Sequence, residues 1–118
     1  MNKTYTLEEQ KANRKLWVEA LRSGEYQQAT QSLTQRGGGY CCLGVACRVM
    51  GVPDEVIRHH DNLHQLDSVR AHFGIIGADG DYEDGSLAND NDKRGKSFAE
   101  IADIIESEPA GLFVESEA

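Results

Sequence analysis

The 118-residue chain has the length of one domain, which excludes separate catalytic and regulatory domains. With 39% hydrophobic and 27% charged residues it can build a modest core, so wholesale disorder and a collagen-like repeat are excluded. The formal charge of −8 is unevenly placed: residues 1–59 hold 8 Lys/Arg against 6 Asp/Glu and residues 60–118 hold 4 against 14, a distribution that disfavours nucleic-acid binding, because phosphates need clustered cations.

In chain order, residues 1–10 are polar and no apolar run approaches the roughly 20 residues that cross a bilayer, so neither export signal nor membrane segment is expected and the expected compartment is the cytoplasm. Thr6 and Glu9 have capping-box spacing and predict a helix over 6–24. Its buried stripe is read as Leu16, Trp17, Ala20 and Leu21, and Ser23-Gly24 is its stop. Residues 26–36 are polar and allow two readings, a short helix or an extended arm turning back at Gly37-Gly38-Gly39; the Thr and Gln content favours the arm.

Residues 40–50 form the most apolar segment, read as a buried helix closed by Gly51 and Pro53, with Gly44 costing about 1 kcal/mol against alanine. Pro53-Asp54-Glu55 predicts a short helix reaching His59 or His60. Another helix carries Leu63, Leu66, Val69 and Phe73 and ends at Gly74. Residues 77–95 read as an acidic loop. Ser97 and Glu100 make a second capping box, opening a helix over 97–107 whose apolar face is Phe98, Ile101, Ala102 and Ile105. Pro109 ends it, and Leu112, Phe113 and Val114 form a tail, 108–118, that docks on the body or pairs with a neighbour. These elements predict a mostly α single domain over 1–118, bordering on small α+β, with four or five helices and at most one small β-hairpin.

Three motifs, Leu16-Trp17-Val18-Glu19-Ala20-Leu21-Arg22-Ser23-Gly24-Glu25-Tyr26, Tyr40-Cys41-Cys42-Leu43-Gly44-Val45-Ala46-Cys47 and Ser97-Phe98-Ala99-Glu100-Ile101-Ala102, resemble a family of small uncharacterised proteins of tailed phages and prophages. The resemblance spans most of residues 14–106 in the same order; this chain departs from it in having Ala88-Asn89-Asp90 where the family carries Leu-Asn-Asp. It implies a compact phage accessory protein that binds something in the host, and it transfers no catalytic residue.

The sequence offers several chemistries. Gly37-Gly38-Gly39 before the Cys-rich helix, with Tyr40 and the guanidiniums of Arg36 and Arg48, has the composition of an anion or nucleotide cradle, although no Walker lysine and no G-x-G-x-x-G is present, so a plain turn competes. Cys41 or Cys42 at a helix start could be a thiol nucleophile, with His60 (or His59, His64, His72) as base and Asp61 or Asp67 orienting it; buried apolar thiols are the commoner case. The three cysteines, an odd number within seven positions, predict reduced thiols. His60 and His64 would share a helix face, yet without C-x-x-C or H-E-x-x-H no metal site is expected, and residues 79–85 miss the calcium-loop register because Asp84 stands where the glycine belongs. No cofactor is expected. Asp79, Asp81, Asp84, Asp90, Asp92 and Glu100, with Asp103 and Glu106, make an acidic face suited to a basic partner protein or simply to solvent.

The leading expectation is a non-enzymatic phage-type protein that inhibits or sequesters a host protein, in host takeover or anti-defence. The alternatives are an oligomeric sponge holding a nucleotide-like signal near residues 37–42 and, third, a cysteine-dependent enzyme.

Overall fold

The computed structural model describes residues 5–30, 32–34 and 38–114. The expected capping box opens the first helix, α1 (Leu7–Arg22): the Thr6 hydroxyl accepts from the Glu9 amide at 3.0 Å and the Glu9 carboxylate accepts from the Thr6 amide at 2.9 Å. Its buried stripe is Arg14, Trp17, Val18 and Leu21. Leu16 was expected in that stripe but is 53% exposed, because at 100° per residue it points away from a face centred on Trp17 and Leu21. The Trp17 indole is fully buried, donates to the Cys42 carbonyl at 3.0 Å and packs against the Phe73 ring at a centroid distance of 5.2 Å.

Residues 26–34 take the extended reading where they are described. Tyr40 bridges Gln28 in parallel and Thr34 in antiparallel, with its amide donating to Gln27 and its carbonyl accepting from Ala29, both at 2.8 Å. The arm ends against α2 (Cys42–Met50), where the Cys41 amide donates to the Leu33 carbonyl at 3.1 Å. This crossing explains Gly44. A Cβ there would sit 1.9 Å from the Leu33 carbonyl oxygen, so the residue that looked like a mid-helix weakness is the one that lets the arm cross the helix.

α3 (Asp54–Ile57) is one turn and stops short of the expected His59. Leu63 and Leu66 are buried in the turns that precede α4 (Asp67–Phe73), which ends in left-handed Gly74 as anticipated. The stretch expected to be an acidic loop contains regular structure: β1 (Asp81–Tyr82) pairs antiparallel with β2 (Gly85–Ser86), in the register Asp81 to Ser86 and Tyr82 to Gly85, and leads into α5 (Leu87–Asp92). The Ser86 hydroxyl caps α5 at the Asn89 amide, and Leu87 is fully buried. Propensity alone misses this, since Asn and Asp favour turns until burial of Leu87 and the cap override them.

α6 (Phe98–Ser107) has its full capping box and the expected buried face of Phe98, Ile101, Ala102 and Ile105. The tail docks on the body: Leu112 and Phe113 are buried and Ile75 bridges Phe113 antiparallel, while Val114 is 46% exposed. The result is a mostly helical fold with one small hairpin, in which α1 packs chiefly on α6 and also on α4 and α2. Arg14 ties these layers together. Its Nε donates to the Phe73 carbonyl at 2.6 Å, Nη2 to the Val114 carbonyl at 3.3 Å, and its guanidinium lies 3.9 Å from the Phe113 ring centroid. Among the described residues no helix is long and apolar enough to cross a membrane.

Candidate functional site

The described part of the glycine turn is Gly38 and Gly39. Arg36 and Gly37 lie outside the described residues. Gly38 is exposed, but Gly39 is buried, and a Cβ on it would meet the Ala29 Cβ at 2.8 Å. The amides of Tyr40 and Cys41 donate to Gln27 and Leu33, and the first residues of α2, Cys42 and Leu43, are buried beneath the arm. The Tyr40 hydroxyl binds both Asp54 carboxylate oxygens at 2.8 and 2.9 Å, and Arg48 reaches Asp54 at 3.5 Å and the Val52 carbonyl at 3.0 Å. Of the residues expected to hold an anion, Tyr40 and Arg48 are thus engaged with Asp54, and Gly39 is packed on Ala29.

The cysteines are all free and buried. The expectation that a helix start would activate Cys41 or Cys42 is corrected by burial, which outweighs the dipole. Desolvation pushes Cys41 up to about 11, against a smaller opposing contribution from the Gly44 amide, and raises Cys42 well above the ordinary thiol value. Cys47 is pushed up to about 12 by the same cause. The Cys42 thiol donates to the Leu87 carbonyl at 3.5 Å, a packing contact. His60 and His64 do not share a helix face: both lie in turns between α3 and α4. Among the described residues no group of three or more His, Cys, Asp or Glu is placed to hold a metal ion.

The expected acidic face divides into buried, engaged and free carboxylates. Asp90 is fully buried and cannot meet a partner: it accepts from the Tyr82 hydroxyl, and Arg94 lies 3.4 Å away. Burial, and then this hydrogen bond, push the Tyr82 phenol up to about 12. Asp92 is half-buried and accepts from Asn91 Nδ2 at 2.8 Å. Glu100 is exposed but caps α6, accepting from the Ser97 amide at 2.9 Å, a bond that holds its carboxyl below the usual range. Asp103 and Glu106 pair with Arg22 at 2.6 and 3.1 Å.

Asp79, Asp81 and Asp84 remain, joined by Glu83 of the same acidic run. None of the four forms an ion pair among the described residues, and all except half-buried Asp79 are exposed. The hairpin that carries them is held from several sides. The Glu83 amide donates to the Ala110 carbonyl at 2.8 Å, Arg94 Nη2 donates to the Asp84 carbonyl at 3.3 Å, and Tyr82 is anchored on Asp90. On the far side, Gln28 Nε2 bonds Asn91 Oδ1 at 2.9 Å and the Lys96 carbonyl at 2.8 Å, fixing α5 to the arm. Tyr82 and Arg94 had no local signal beyond an aromatic inside an acidic run and a cation four residues after an Asp.

Residues 9–65 match the model of a family described as a domain of unknown function, DUF8296. No curated protein and no solved structure matches the chain. The matched stretch covers most of α1 and all of α2 and α3, and it ends before the acidic hairpin.

Proposed function

We propose that the protein is a non-enzymatic binding module that captures a partner protein with a basic surface through the β1–β2 edge. The observation that carries this reading is the set of carboxylates without ion-pair partners among the described residues, Asp79, Asp81, Glu83 and Asp84, on a hairpin already fixed by Tyr82, Asp90, Arg94 and Ala110. A fixed acidic edge loses little conformational entropy on docking, and its field steers a basic partner and speeds association. Burial of all three thiols, with their raised pKa values, supports binding over cysteine catalysis. The sequence resemblance to phage proteins supports a host factor as the partner, inhibited or sequestered in the host cytoplasm.

The test is a paired capture experiment from host lysate, using the tagged protein and an Asp81→Lys/Glu83→Lys/Asp84→Lys variant, each at low and high salt. A partner retained by the parent at low salt, released by salt and absent from the variant supports the reading. A partner retained equally by both chains and at both salts refutes it.

A further inference from the structure

α1 and α6 leave a cleft of about 200 Å³ between them, lined by Lys11, Arg14, Lys15, Val18, Ile105, Glu106 and Glu108. It shares no residue with the acidic hairpin. Its floor, Val18 and Ile105, is buried and apolar. On its α1 wall Lys11 and Lys15 stand one turn apart, both exposed and neither in an ion pair among the described residues. Glu106 is paired with Arg22 at 3.1 Å, whereas Glu108, 47% exposed, makes only a long 3.5 Å contact to Arg14. On a chain of net charge −8 the cleft thus carries two ammonium groups without an ion-pair partner among the described residues.

Arg14 is the second observation. Its side chain is 5% exposed, and its only carboxylate partner among the described residues is Glu108, at a long 3.5 Å. Desolvation dominates over that partner and lowers its pKa, the mark of an undercompensated buried cation. Each of its nitrogens makes one hydrogen bond, to Phe73, Glu108 and Val114, so one N–H on each of Nη1 and Nη2 has no acceptor among the described residues.

We propose that this cleft binds a small organic carboxylate, the carboxylate meeting Lys11, Lys15 and Arg14 and a short apolar chain lying on Val18 and Ile105. The volume is below the roughly 300 Å³ of a drug-sized pocket, which limits the ligand to a short chain. Glu108 and the negative end of the α6 dipole favour a monoanion over a phosphate dianion.

The experiment follows amide shifts of the full chain by NMR during titration with hexanoate and, in parallel, with hexanol, its uncharged counterpart. Saturable shifts confined to the residues around Lys11, Val18 and Ile105, with hexanoate binding more tightly than hexanol, support the site. Lys11→Gln and Lys15→Gln, both at exposed positions that leave the core untouched, should weaken hexanoate about threefold each and roughly tenfold together while leaving hexanol unchanged. Equal affinity for the two probes, shifts without saturation, or hexanoate binding indifferent to the double variant would overturn the proposal.

Discussion

Replacing Gly44 by alanine separates helix propensity from tertiary packing, because the two predict opposite signs. Propensity favours alanine inside α2 by about 1 kcal/mol. In the fold, the new Cβ would lie 1.9 Å from the Leu33 carbonyl oxygen and 2.8 Å from its carbon, so the arm must retreat by roughly 1.5 Å to reach ordinary contact. There is no slack on either side. Leu33 is fully buried, as are Val45, Ala46 and Cys47 on the helix. Retreat also stretches the 3.1 Å bond from the Cys41 amide to Leu33, worth about 1 kcal/mol. Overpacking of up to about 3 kcal/mol plus the lost bond, less the propensity gain, leaves a net loss of about 2–3 kcal/mol. For a chain of this length that lowers Tm by about 10 °C. Urea unfolding followed by circular dichroism measures it directly, and a Gly44→Ala protein with an unchanged or higher midpoint would refute the steric reasoning.

Tyr82→Phe removes the hydroxyl that Asp90 accepts from inside the protein and leaves that carboxylate with Arg94 at 3.4 Å; the expected loss is about 2 kcal/mol in the same unfolding assay. Thiol titration makes the fold sensitive to alkali: Cys41 and Cys47 ionise at about 11 and about 12 when folded, against an ordinary 9.0. Since these folded values are raised, the unfolded chain releases the protons first, and stability is complete below about pH 9 and falls as pH rises through 11–12. Unfolding midpoints measured from pH 8 to 11 should therefore decline, and less steeply for Cys47→Ala; a flat profile contradicts the burial argument. Iodoacetamide should label none of the three thiols under native conditions and all three in urea. Reversing Asp81 and Asp84 to lysine, both exposed and in no ion pair among the described residues, should leave stability within about 0.5 kcal/mol while abolishing partner capture.

Features determined within one turn of chain were legible in the sequence. Thr6 with Glu9 and Ser97 with Glu100 cap their helices, and the α6 stripe from Phe98 to Ile105 is buried as its spacing indicates. Features that depend on distant segments were not. The stripe of α1 read from the sequence, Leu16, Trp17, Ala20 and Leu21, omits the buried Arg14, because nothing near Arg14 in sequence announces acceptors at Phe73 and Val114. The N-D-N-D run read as loop because the burial of Leu87 and Asp90 that makes it helical comes from partners on other elements. The activated thiol was inferred from a helix start, and burial of that start, with the Cys41 amide engaged by Leu33 of the arm, raises the thiol pKa values instead of lowering them.

The Arg14 hub also constrains when the fold can be completed during synthesis. Its acceptors at Phe73, Glu108 and Val114 lie 59, 94 and 100 residues downstream. A nascent chain emerging from the ribosome displays α1 early, as an amphipathic helix with an unanswered cation in the middle of its apolar stripe. Docking that helix prematurely would bury a guanidinium without acceptors, which is costly. α1 is thereby kept from settling against α2 alone, and final consolidation waits for the segment around Val114, so truncation before that point should leave a loosely packed chain rather than a smaller native domain.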